Sequence, residues 1–150
     1  MESGTILGGY RVDSVAGQGG MGVVYRATQL GLDRPVALKV IASELASSVD
    51  FRTRFKSEAQ LAASIDHPNV VPVYEAGEAE GVLYLAMRYV EGTDLRSLVE
   101  DTGRGLEPER AVRIVWQVAG ATKSGVPTNW PVRVKPPALA ACFVRPKSVR

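Results

Sequence analysis

β-branched and aromatic residues in the first forty positions fall between short clusters of glycine, the pattern of strands joined by tight turns. Tyr10 to Ala16 predicts a strand, Gly17 to Gly22 a glycine-rich turn, and Val23 to Thr28 a second strand, so the pair reads as a hairpin with a glycine-rich tip. Gly31 to Pro35 predicts the next turn, and Val36 to Ile41 a third strand, apolar on both alternating faces except at Lys39. From about Asp50 the period becomes helical, with Phe51, Phe55, Ala62 and Ile65 along one stripe, and Asp66-His67-Pro68-Asn69 ends it. Val70 to Tyr74 and Val82 to Val90 predict two more strands, joined by a turn over Glu75 to Gly81. A short helix over Asp94 to Glu100 and a longer one from Glu107-Pro108-Glu109, with the proline in its first turn, complete the order β-β-β-α-β-β-α-α.

Composition narrows the function classes. The chain has 150 residues, 45% hydrophobic and 23% charged, ordinary for a globular domain. A single cysteine, Cys142, excludes an internal disulfide and a cysteine-based metal site, and a single histidine, His67, leaves little for a His-ligated metal or a Ser/His or Cys/His catalytic pair. His67 before Pro68 reads as a turn residue bonded to local backbone. No apolar run approaches the roughly 18–20 residues needed to span a bilayer, and Met1 to Tyr10 lacks the character of a secretory signal, so a cytoplasmic protein is expected.

The net charge of +2 divides unevenly along the chain. Residues 1–121 hold 12 Lys/Arg and all 16 Asp/Glu, whereas residues 122–150 hold six Lys/Arg and no acid. Five of the nine prolines also fall in that last stretch, at a spacing that permits neither a regular helix nor a central strand. The expectation is a folded body over 1–121 and a basic, proline-rich, irregular tail over 122–150. The tail's charges are dispersed, with Trp130 and Phe143 as its aromatics, so no specific nucleic-acid binding is expected.

Gly17-Gln18-Gly19-Gly20-Met21-Gly22-Val23-Val24 fits G-x-G-x-x-G-x-V. In such a loop missing side chains let backbone N–H groups approach a phosphate. A dinucleotide-binding loop would open a helix, but here strand-like residues follow. Lys39 lies in an otherwise apolar strand and Glu58 in the middle of the helical stripe, three residues after Phe55 and four before Ala62. Either would be costly to bury alone, so the two are expected to meet each other or a charged ligand between sheet and helix. A lysine there, under a glycine-rich cradle, is placed to bind phosphate oxygens.

Together these residues resemble the N-terminal lobe of a protein kinase, most closely the bacterial, eukaryotic-like Ser/Thr kinases. The glycine loop, the Val36-Ala37-Leu38-Lys39 strand, Glu58, the His67-Pro68-Asn69-Val70-Val71 turn and Leu83 to Gly92 carry the likeness over about residues 8–121. It implies an α+β fold: a five-stranded antiparallel sheet with helix C, a hinge, and the first one or two helices of the larger lobe. It also implies ATP as the ligand. Lys39 would contact the α/β-phosphates and pair with Glu58, while the backbone of Gly17, Gln18, Gly19, Gly20, Met21 and Gly22 would cover the phosphates. Met87 would be the gatekeeper; Val24, Ala37 and Val71 would pack on adenine; the Arg88 and Val90 backbones would bond its edge, and Asp94 would meet the ribose. Arg88 stands where these kinases often carry Glu, with little loss expected because that contact is made by backbone.

The larger departure follows Ala121. The family continues to H-R-D-x-x-x-x-N and D-F-G, whose acids serve as catalytic base and, with the Asn, as Mg²⁺ ligands. Glu109 is the last acid here, so neither role has a candidate, although Mg²⁺ accompanies ATP in the family. Family pattern, acids and helical period are lost together, which leads to the expectation that the reading frame changes or the gene is damaged near residue 121. Three classes stay open: a Ser/Thr kinase read from its ATP-binding portion, with a protein substrate only if a complete kinase is restored; a non-catalytic nucleotide-binding or interaction module; and a truncated product without stable function.

Overall fold

The computed structural model describes residues 1–103 and 105–122. These fall into two compact units, Met1–Ser64 with Pro72–Tyr89, and Ile65–Val71 with the residues from Val90 onward.

The first unit is built on one antiparallel sheet, β1 (Ile6–Leu7), β2 (Tyr10–Gly19), β3 (Gly22–Gln29), β4 (Arg34–Ile41), β5 (Val73–Ala79) and β6 (Val82–Arg88), in the order β1-β2-β3-β4-β6-β5. Because side chains alternate along a strand, β4 presents Val36 and Leu38 to one face and Ala37, Lys39 and Ile41 to the other. Leu38 pairs with Tyr25 of β3 on one side and Ala86 of β6 on the other, and all three are buried. With Tyr10, Val12 and Tyr84 they form the larger core, where each fully buried Val or Leu contributes about 1.5–3 kcal/mol.

On the opposite face Ile41, Ala46 and Leu83 are buried beneath Leu45, Phe51 and Phe55. This is the side taken by two helices, α1 (Ser43–Ala46) and α2 (Val49–Ala63). Ser48 caps α2, its hydroxyl accepting from the Phe51 amide at 3.3 Å, which satisfies one of the unpaired N–H groups of the first turn.

Register shifts in β2 between Val12 and Ser14 and between Val15 and Gly17 increase the local twist, and the sheet curls. The Tyr10 and Tyr84 hydroxyls both donate to Glu75 of β5, to Oε2 at 2.6 Å and Oε1 at 2.7 Å. Their rings meet edge-on, 5.7 Å apart at 62°. A Cβ at Gly77 would lie 2.6 Å from the Tyr84 hydroxyl, so glycine there makes room for the phenol.

The structure departs from the predicted elements where tertiary pairing outweighs local pattern. The sheet has a sixth strand, β1, too short to show a period. The turn expected over Gly17 to Gly22 shrinks to Gly20-Met21, since the backbone pairs Gly17 with Val24, Gln18 with Val23 and Gly19 with Gly22. The strand expected over Val70 to Tyr74 begins only at Val73, and the turn expected over Glu75 to Gly81 is strand through Ala79, closed by Glu80 and Gly81 at φ of 52° and 76°. β6 ends at Arg88 rather than Val90, and α1 was not foreseen. On α2 the buried residues are Ala59 and Ala62, while Leu61 is 51% exposed.

In the second unit the His67 turn forms as expected: the Asn69 amide donates to His67 Nδ1 at 3.1 Å and the Val70 amide to the His67 carbonyl at 3.0 Å. The Asn69 side chain donates to the Gln117 carbonyl at 3.2 Å, tying the turn to α4 (Pro108–Thr122). Ile114 of α4 is buried against Leu106, Val118 and Leu95 and Leu98 of α3 (Leu95–Thr102). α3 ends at Gly103, whose φ of 59° is the left-handed stop that glycine supplies readily. Beyond Thr122 the expected basic tail, with Cys142, Trp130 and Phe143, lies outside the described residues.

Candidate functional site

The site expected at the glycine hairpin rests on β3 and β4. In the sheet Lys39 lies between Val24 of β3 and Leu85 of β6, one row from Ala37, which pairs with Met87. Val24, Ala37 and Lys39 are half-buried and Met87 is buried, so the four gatekeeping, adenine and phosphate candidates of this unit share one face of three adjacent strands.

At the hairpin the two ends of the glycine run behave oppositely. A Cβ on Gly17 or Gly20 would meet nothing within 4 Å, whereas one on Gly22, whose φ is 134°, would overlap the Val40 carbonyl oxygen of β4. The Ala42 amide also donates to the Met21 carbonyl at 3.1 Å. The base of the hairpin is thereby held against the end of β4, while Gly17 and Gly20 leave their flanks clear for a ligand. Gln18 and Gly19 are exposed within the paired strands.

Burial lowers the Lys39 ammonium below the usual lysine range, and the Glu58 carboxylate opposes that shift. The expectation that both are buried is corrected: Lys39 is half-buried but Glu58 is exposed. α2 makes its buried contacts through Ala59 and Ala62, so Glu58 stands beside the contact, exposed, with its field reaching Lys39.

Arg88 is exposed, and its amide donates to the Pro72 carbonyl at 3.0 Å. The remaining candidates belong to the second unit. Val71 is buried and Val90 half-buried. The Asp94 carboxylate caps α3, accepting from the Ser97 amide at 2.9 Å through Oδ1 and from the Ser97 hydroxyl at 3.2 Å through Oδ2.

Two groups were missed by the sequence. One is Glu75 with its two tyrosines. The other is Arg52 of α2, whose Nε donates to the Ala46 carbonyl and whose Nη1 meets Glu78 Oε2 of β5, both at 2.7 Å. Partners 26 residues apart leave no local signal.

The family profile described as "Protein kinase domain" matches residues 10–124. The chain belongs to the protein kinase family. Within it, the similarity lies with the bacterial, eukaryotic-like Ser/Thr kinases. The chain is 43% identical over 123 residues to the serine/threonine-protein kinase PknJ of Mycobacterium tuberculosis, covering 81% of this chain and 20% of that protein. It is 41% identical over 116 residues to the serine/threonine-protein kinase PrkC of Bacillus subtilis, covering 77% and 18%. It thus spans about a fifth of the length of these curated relatives. Among solved structures, a double mutant of the Mycobacterium tuberculosis PknI kinase domain superposes with a TM-score of 0.81 at 30% identity, covering 95% of this chain and 62% of that one. The kinase fold, a curled antiparallel sheet with helices, is the one observed here. Among the described residues no helix is long and apolar enough to cross a membrane.

Proposed function

We propose that this chain supplies the ATP-binding portion of a Ser/Thr kinase and that these 150 residues do not complete the transfer. The observation that carries the first half is the placement of Lys39: a half-buried cation on β4, beside Val24 and one row from Ala37, on the strand against whose end the glycine hairpin is held. ATP fits these residues. Gly17 and Gly20 leave room for phosphate against backbone, the ammonium of Lys39 neutralises phosphate charge, and Val24 and Ala37 offer apolar surface to a base. The Arg88 amide is already bonded to Pro72, so an adenine contact from Arg88 uses its carbonyl.

Phosphoryl transfer needs a base to orient the attacking hydroxyl and, in this family, acids that hold Mg²⁺. Residues 110–150 contain no Asp or Glu, so within these 150 residues the family's metal-holding acids have no counterpart and Mg²⁺ does not fit the residues present. What the chain's own residues do is bind and orient the nucleotide.

The test is a thermal melt of the 150-residue chain with and without ATP, beside a transfer assay on a generic protein substrate. ATP at 100 times its dissociation constant stabilises by about 2.7 kcal/mol, and Lys39→Ala removes most of that shift. No ATP stabilisation of the folded chain sinks the binding half, and phosphate transfer that disappears in Lys39→Ala sinks the other.

A further inference from the structure

We propose that Arg52 is a positioning residue: by clamping the start of α2 to α1 and to β5 it holds Glu58 where its carboxylate acts on Lys39. Its functional consequence rests on the reading of Lys39 as the phosphate-binding residue. The geometry of the clamp does not.

The helix that carries Glu58 has a thin grip on the sheet. Its buried residues are two alanines, Ala59 and Ala62, supplemented by the half-buried rings of Phe51 and Phe55, which stack 6.5 Å apart. Small apolar contacts of this kind resist separation but set direction weakly, since an alanine face can slide without opening a large cavity. Polar contacts fix direction better, and Arg52 provides them. Its planar guanidinium reaches two ways from one side chain, to the Ala46 carbonyl at the end of α1 and to Glu78 on β5. Both bonds are 2.7 Å, short for a guanidinium, and a lysine has no fork with which to make both.

What the clamp holds in place is the charge environment of Lys39. On the neighbouring strands Lys39 faces Val24 and Leu85, while Arg26 pairs with Ala37, one row along the same face, and Arg88 with Val36, on the opposite face. The charge that acts on Lys39 from α2 is Glu58. Lys56, on the same helix, is exposed. A swing of α2 therefore withdraws the carboxylate that opposes the effect of burial on the Lys39 ammonium.

The experiment measures acetylation of Lys39 by a short pulse of acetic anhydride at pH 8, in the chain without nucleotide, with exposed Lys56 as internal reference and site-resolved mass spectrometry as readout. The unprotonated amine is the reactive form, so losing Glu58's influence speeds the reaction. Arg52→Ala and Glu78→Gln are each expected to raise the Lys39 rate about two- to fivefold, the range an exposed ion pair commands. Glu58→Gln is expected to raise it at least as much, and adding Arg52→Ala to Glu58→Gln is expected to change nothing more. Arg52→Lys should recover only part of the wild-type rate. A rate unchanged by Arg52→Ala or Glu78→Gln while Glu58→Gln raises it overturns the proposal, as does an Arg52→Ala effect of equal size in the Glu58→Gln background. If Arg52→Ala fails to melt cooperatively, Glu78→Gln decides. Absence of ATP binding by the wild-type chain would remove the nucleotide reading and leave this result intact.

Discussion

Tyr10 and Glu75 lie on β2 and β5, four places apart in the order of the sheet, yet their side chains bond at 2.6 Å. Only a sheet curled back toward itself brings those strands together, and Glu75 accepts from Tyr84 at the same time. One carboxylate thus fastens the curl.

Removing that carboxylate should loosen the closure without destroying the strands. Glu75→Ala leaves two phenols without their acceptor, and the expected loss is about 1–3 kcal/mol in urea unfolding. Tyr10→Phe and Tyr84→Phe are each expected to cost about 1 kcal/mol, and less in the Glu75→Ala background, because the three groups act together.

The same cluster predicts an alkaline transition. Burial, then the hydrogen bond to Glu75, raise the Tyr84 phenol to about 12, and the same causes in the same order push Tyr10 higher still. In the unfolded chain a tyrosine ionises near 10. Both groups keep their protons in the folded state while the unfolded state loses them, so their contribution is complete below pH 10 and drains away as pH rises through 12. Urea midpoints measured from pH 8 to pH 12 should fall above pH 10, and the Tyr84→Phe variant should fall less.

Two glycines of one loop should answer oppositely to the same substitution. Gly22→Ala places a methyl group on the Val40 carbonyl at a φ of 134°, and the expected loss is about 2 kcal/mol or more. Gly20→Ala meets open space and should stay within about 0.5 kcal/mol of wild type. Equal losses in chemical denaturation would contradict the fixed hairpin base.

Asp94 is a helix cap by its contacts, so Asp94→Ala should destabilise by about 1 kcal/mol, while Asp94→Asn, which keeps an accepting oxygen, should lose a few tenths. If the two variants melt alike, the capping bonds contribute nothing.

Much of the sheet was legible because period-2 patterning speaks directly about burial: Val36 and Leu38 point one way, Ala37 and Lys39 the other, whatever the rest of the chain does. β5 was not. Glu75, Gly77 and Glu78 are of types depleted in strands, and they form strand here because β6 pairs with them and Tyr10 and Tyr84 bond Glu75. Glu58 was misplaced for a related reason. The stripe drawn through Phe51, Phe55, Ala62 and Ile65 runs across Glu58, but the contact is made by Ala59, and a period alone does not separate adjacent helical rows by a single residue. That the Glu58 charge bears on Lys39 was legible; the exposure of Glu58 was not.

β5 has a further consequence as the outermost strand of its sheet. An unpaired strand edge is a template on which another chain can add itself, and long apolar edges are where aggregation starts. Here one edge belongs to β1, only two residues long, and the other carries Glu75 and Glu78, each tied to a partner on another element. The acids that made β5 unreadable as a strand also guard it against recruiting copies of itself.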